Sequence, residues 1–279
     1  LDDRNIRIGL DELGFKDDAL AAWKEEIASP HGIILVTGPT GCGKTTTLYS
    51  SLQEMDRKRL NISTVEDPVE YELSGVTQIQ VHDKIDMTFS RALRALLRQD
   101  PDVVLLGEIR DMETASVAIQ AAMTGHLVLS TLHTNDAPSS LTRLINIGIE
   151  PFLVSGAVNA VLAQRLMRSV CKKCETDIPV SAEAAAILQR HGMELDTMRQ
   201  GAGCEHCRQT GLSGRLGIHE MLQVDDALRD QIASNPSVNG LRTHCCDAGM
   251  RTVRQDAMQK MADGRTTLSE VLRVTADNG

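Results

Sequence analysis

The stretch Gly38-Pro39-Thr40-Gly41-Cys42-Gly43-Lys44-Thr45 constrains the fold more than any other. It has the spacing G-x-x-x-x-G-K-[ST] of a phosphate-binding loop. Residues 33–37, IILVT, are short, apolar and β-branched, which predicts a buried strand. Residues 46–52 carry no Gly or Pro and read as a helix. Strand, glycine-rich turn and helix in that order can wrap backbone N–H groups around an anion. The helix N-terminus adds partial positive charge. The expected nucleotide-binding set is Pro39, Thr40, Gly41, Cys42, Gly43, Lys44, Thr45 and Thr46. Lys44 would reach the β- and γ-phosphates of ATP, and the Thr45 hydroxyl would ligate Mg²⁺. Cys42, at a helix N-terminus, is expected either to ionise readily or to be an inert filler.

A loop of this kind needs acids, and two strands are placed to supply them. Residues 61–65 read as a strand that delivers Glu66-Asp67-Pro68-Val69-Glu70 at its C-terminal end. Ligands of open α/β sheets bind at that edge. A solvated acidic turn is the plainer reading; water activation or metal positioning is the functional one. Residues 103–106, VVLL, form a buried strand ending in Gly107-Glu108. Downstream of a phosphate loop, that pattern places a carboxylate beside Mg²⁺ or the attacking water. Residues 126–131 give another strand, with His133 at its C-terminal end and His126 at its start. His133 is expected at the site, and His126 in a structural role. On residues 88–99, Arg91, Arg94 and Arg98 share a face opposite Phe89, Ala92, Leu93, Leu96 and Leu97. That face is either simply solvated or sends one or two arginines to a phosphate, on this or a neighbouring subunit. Alternating strands and helices imply right-handed crossovers and a largely parallel sheet. Residues 137–147 and 152–164 read as further helices against it.

Cys171-Lys172-Lys173-Cys174 and Cys204-Glu205-His206-Cys207 are two C-x-x-C pairs. Four thiolates would close the shell of a structural Zn²⁺. Such a site supplies on the order of 10–16 kcal/mol of apparent binding energy to a segment with little core. The alternative is four reduced cysteines without metal. His206 reads as a bystander. Residues 215–224 are strand-like, and helices complete the chain, the last opened by the capping-box pattern Thr267…Glu270.

Net charge is −9 and the pI about 5.4, with three Phe, two Tyr and one Trp. An acidic chain with so few stacking platforms argues against a nucleic-acid partner. The apolar run 151–163 is too short to span a bilayer and contains Asn159. No secretory signal opens the sequence, so a cytoplasmic protein is expected, with peripheral membrane attachment open. The chain starts at Leu1 rather than Met and is expected to be part of something longer.

Four blocks together resemble the Walker A, Asp box, Walker B and His box of the bacterial secretion ATPases, which serve type II secretion and type IV pilus assembly. They are the loop at 38–45; Ile62 to Glu70; Leu97-Arg98-Gln99-Asp100-Pro101-Asp102 with Gly107-Glu108-Ile109-Arg110-Asp111; and Thr124-Gly125-His126 with Ser130 to Asn135. The four-cysteine insertion is similar to that of the secretion and pilus-extension branch. The resemblance implies a RecA-like α/β P-loop NTPase sheet with helices on both faces, a four-cysteine zinc subdomain and a small C-terminal helical subdomain. The corresponding segments are 31–170, 171–214 and 215–279, with 1–30 the tail of a missing N-terminal domain. It further implies a homo-hexamer with ATP between subunits, peripheral to the inner membrane. Its partners would be an inner-membrane platform and a cytoplasmic adaptor. In the implied mechanism Lys44 holds phosphates, Thr45 and Glu108 hold Mg²⁺, Glu66 polarises the attacking water and His133 senses the γ-phosphate. One of Arg91, Arg94, Arg98 or Arg110 completes the site. Which of Glu66, Glu70 and Glu108 is the base stays open. The alternative is a nucleic-acid translocating P-loop motor with a zinc module.

Overall fold

The computed structural model describes residues 8–234 and 237–276; residues 1–7 of the expected tail lie outside them. Within 8–30 the chain forms helix α1 (Asp17–Ile27), as the helical spacing of Ala19, Leu20, Trp23 and Ile27 suggests. Trp23 anchors it, fully buried, with its indole N–H donating to Ser51 Oγ at 2.9 Å. Asp17 is the first helical residue, and Lys16 occupies the cap position without a side-chain bond to the helix.

Five strands alternate with helices thereafter. They are β1 (Gly32–Thr37), α2 (Lys44–Glu54), β2 (Ile62–Glu66), β3 (Thr77–Gln80), α3 (Phe89–Leu96), β4 (Val103–Leu106), α4 (Met112–Met123) and β5 (Leu127–Leu132). Thr88 and Asp111 cap α3 and α4 through their side chains, as Ser/Thr/Asp residues do at helix starts. Then come α5 (Ala137–Ile147), α6 (Pro151–Ala157) and the long strand β6 (Val158–Val170). β7 (Glu175–Pro179), α7 (Ala182–Arg190) and β8 (Thr197–Gly201) form an excursion before β9 (Leu212–Gln223). Helices α8 (Asp226–Ala233), α9 (Val238–Asp247), α10 (Val253–Ala262) and α11 (Leu268–Val274) end the described chain.

The main sheet has the order β3-β2-β4-β5-β1-β6-β9. All neighbours are parallel except β6 and β9. β1 sits inside it, so its side chains alternate between two cores. Ile34 and Val36 join Trp23, Leu48 and Leu52 on the α1–α2 face. Ile33 and Leu35 join Ala118, Leu141 and Val161 on the other. Sheet and helices on both faces agree with the expected fold class.

One expectation is corrected. Residues 152–164 were read as one helix, but α6 stops at Ala157 and the chain runs on as β6. A strand covered on both faces shows a continuous apolar run, which periodicity cannot separate from a buried helix. Pairing to both β1 and β9 decides the matter here. β9 matches the strand read at 215–224 and extends the main sheet.

Candidate active site

The C-terminal ends of β1, β2, β4 and β5 converge on one cleft of about 160 Å³. Lys44, Thr45, Glu66, Glu70, Glu108 and His133 line it together, so four separate sequence blocks meet in space. Gly43 is the N-cap of α2 with φ 90°, a left-handed conformation that side chains resist. Gly38 lies so close to β6 that a Cβ there would stand 2.3 Å from the Gln164 carbonyl oxygen. Lys44 Nζ folds back onto the Gly38 and Pro39 carbonyls, at 2.7 and 3.3 Å. It thus stands over the turn whose amides would receive a phosphate.

The two acids sit in different surroundings. Glu66, the last residue of β2, is only 3% exposed. It accepts from the Tyr49 phenol, from Thr64 Oγ1 at 2.6 Å and from Gln78 Nε2 at 3.1 Å. Burial, then the bond to Glu66, pushes the Tyr49 phenol well above its usual pKa, so it stays a donor. Glu108 follows β4, with Arg110 Nη2 at 2.5 Å and His133 Nε2 at 3.4 Å. The bond to Glu108 raises the Arg110 pKa further, so the guanidinium keeps its charge.

Hydrogen bonds hold these strand ends in register. The Thr37 hydroxyl meets the Leu132 and Thr134 carbonyls, each at 3.0 Å, and receives the Thr134 N–H at 2.9 Å. Thr131 Oγ1 donates to the Gly107 carbonyl at 2.7 Å. The phosphate turn, the segment bearing Glu108 and the loop bearing His133 are therefore stitched together at their bases. Glu108 and Thr45 offer hard oxygen donors, the set Mg²⁺ prefers.

The remaining candidates lie elsewhere. Arg91 pairs with Asp86, and Arg94 with Glu113 at 2.7 Å. Arg98 is exposed in the turn after α3. Of the four arginines only Arg110 touches a residue of the cleft. His126 Nδ1 contacts the Ala121 carbonyl at 2.9 Å. Cys42 is buried, which raises its thiol pKa against the opposing pull of Lys44. Tyr49, Thr64, Gln78 and Gln164 were missed. Tyr49 had a signal, since it follows Thr45 by four residues and shares its helix face. Gln78 had another, since alternation over 76–81 sets it on one face of a strand beside β2.

A second centre lies where β6 ends. Cys171, Cys174, Cys204 and Cys207 bring their sulfurs within 4.8 Å of one another. Individual Sγ–Sγ distances are 3.9 Å (171–204), 3.8 Å (174–207) and 3.6 Å (204–207). Four sulfurs about 2.3 Å from one tetrahedral ion stand about 3.8 Å apart, so the donor set and spacing fit a soft divalent metal. The Cys204 and Gly211 N–H groups donate to Cys207 Sγ at 3.2 and 3.3 Å. Such bonds orient a ligand sulfur from behind.

The sequence profile of the family described as Type II/IV secretion system protein matches residues 1–273. Over 277 residues the chain is 50% identical to the type II secretion system protein HxcR of Pseudomonas aeruginosa, covering 99% of this chain and 55% of the relative. It is 46% identical over 281 residues to the type IV pilus assembly ATPase PilB of Myxococcus xanthus, covering 99% and 49%. Among solved structures, the pilus retraction motor PilT with bound ADP matches with a TM-score of 0.72 at 29% identity. That match covers 96% of this chain and 66% of the other. The chain spans about half the length of the curated relatives it matches.

Proposed function

The chain belongs to the type II/IV secretion system protein family, and on that premise we propose that it is the ATP-hydrolysing part of a motor for type II secretion or type IV pilus extension. The observation that carries this is the meeting of Glu66 and Glu108 with the Lys44 turn in one cleft. The turn's amides and Lys44 hold the phosphates. Thr45 and Glu108 hold Mg²⁺, which neutralises charge on the β- and γ-oxygens. Glu66 polarises the attacking water, and His133, beside Glu108, reads the γ-phosphate. Arg110 is the arginine best placed to act within the subunit; Arg91, Arg94 and Arg98 are left for contacts across a subunit boundary. The four cysteines hold Zn²⁺ as a closed structural site. The ATPase core takes in 31–170 together with α1 and β9, which pack on or extend its sheet; Cys171 to Cys207 lie in the metal-bearing insertion, and the helices after β9 make the C-terminal subdomain. The assembly is a homo-hexamer on the inner membrane's cytoplasmic side, working with a membrane platform and an adaptor. The name of HxcR supports the first machine, at 50% identity, and that of PilB the second, at 46%.

Phosphate release by the oligomer tests the reading. Glu66→Gln is expected to lower kcat by about a hundredfold or more while nucleotide affinity stays within about threefold. Glu108→Gln is expected to raise the Mg²⁺ concentration needed for half-maximal turnover as well. Full turnover by Glu66→Gln would move the base to another carboxylate.

A further inference from the structure

Gln164 lies on β6, 3% exposed, directly beneath the phosphate turn. Both ends of its amide are used. Nε2 donates to the Cys42 carbonyl at 2.8 Å, and Oε1 accepts from Thr47 Oγ1 at 2.7 Å. We infer that Gln164 is a positioning residue for nucleotide binding, fixing the Cys42–Gly43 peptide so that its N–H faces the phosphate. The inference rests on the reading of residues 38–45 as an ATP-binding turn.

The argument is geometric. In a planar trans peptide the C=O and the following N–H point in opposite directions. With the Cys42 carbonyl tied back to β6, the Gly43 N–H must point away from the strand, into the hollow of the turn. The Thr47 N–H then donates to the Gly43 carbonyl at 3.0 Å, which fixes the next peptide and the Lys44 N–H. Two successive amides are thereby held in one concave array, the arrangement that binds anions. The turn also rests on this residue by contact. A Cβ on Gly43 would meet Gln164 Nε2 at 3.0 Å, and one on Gly38 would meet the Gln164 carbonyl oxygen at 2.3 Å. Only a side chain of this length with a donor and an acceptor serves both partners. Glutamate reaches as far but sets an oxygen against the Cys42 carbonyl. Methionine fills the space and satisfies neither group.

A residue that merely fills the core would change stability and leave the affinity of folded protein alone. The test is therefore binding of a fluorescent ATP analogue with Mg²⁺, with steady-state phosphate release and thermal melting, all on the full protein. Gln164→Glu is expected to raise Kd and KM about tenfold or more, since a buried acceptor loses its donor and faces a second acceptor. kcat is expected to stay within about threefold, because the turn grips the phosphates alike in ground and transition states. Thr47→Val, which leaves the bond to Cys42 intact, is expected to keep Kd within about threefold. A lowered melting temperature with unchanged Kd would overturn the inference. Should Gln164→Glu fail to fold, Gln164→Met decides on the same criterion. Wild-type protein that binds no nucleotide would sink the reading of the turn itself, before any variant is compared.

Discussion

Glu270 shows how much one side chain can hold. Its carboxylate is 2% exposed and accepts from the Arg168 backbone N–H at 3.2 Å and from the Arg168 guanidinium at 3.0 Å. Arg273, one turn along α11, closes the other side. Burial alone would raise the Glu270 pKa; the two guanidiniums overcome it and bring the value from 4.5 down to about 2. The folded value lies below the unfolded one. The contribution is thus complete above about pH 4.5 and is lost as pH falls toward 2. A shift of that size corresponds to about 3 kcal/mol. Glu270→Gln is expected to lower the free energy of urea unfolding by about 2–3 kcal/mol at pH 7. It should also flatten the acid limb of the stability profile between those two pH values. An unchanged acid limb would place the linkage in other carboxylates.

At the scale of elements, β6 carries more than any other. It pairs with β1, supports the phosphate turn through Gln164 and leads straight into Cys171. It is also where the sequence misled, because its first residues read as a helix. Local pattern reported the neighbouring elements well. Strands β1, β4 and β5, with a helix following each, were legible from short apolar runs bounded by Gly, Pro or acids. The cleft was legible because each strand end carries a residue type with a specific use, as Lys44, Glu66, Glu108 and His133 do. The side chains holding those residues in place were not legible. Tyr49, Gln78 and Gln164 act through contacts between segments far apart in the chain, and periodicity says nothing of them. The excursion from Cys171 to Cys207 poses the opposite case: its motif was plain, and the proposed Zn²⁺ would supply stability that packing does not. β7 and β8 form a separate two-stranded sheet, largely exposed along β7, which is marginal alone in water. Removing metal with a chelator is expected to speed hydrogen exchange in β7, α7 and β8 while β1 and β5 keep their protection. Cys204→Ser should do the same without chelator. Unchanged exchange in the excursion would show that no ion supports it.

Across the whole molecule, the loop after His133 joins the cleft to the C-terminal helices. At its front Thr134 is bonded to Thr37, the residue before the phosphate turn. At its rear Asp136 caps α5 and pairs with Arg242 of α9 at 2.5 Å. The Ala137 N–H donates to Glu220 of β9 at 2.7 Å, and the other oxygen of Glu220 receives the Val253 N–H of α10 at 3.1 Å. Glu220 is 3% exposed, and burial raises its pKa against the pull of those two N–H groups. A rearrangement at Thr37 and Thr134 would therefore bear on a part-buried bond into α9 and a buried one into α10. ATP analogue with Mg²⁺ is expected to change hydrogen exchange in both helices, although neither lines the cleft. Arg242→Ala, which cuts the outermost link, should reduce that change. Coupling between sites is reciprocal, so a helix that no longer responds to nucleotide must return the difference as altered affinity. A shift of about fivefold in nucleotide Kd is the expected size, the lower end of common coupling energies. If the exchange response and the affinity both stay as in wild type, the Asp136–Arg242 pair merely fastens α9 to the core. The path from cleft to helices then runs by another route, and Glu220→Gln is the variant that tests the buried link from Ala137 to Val253.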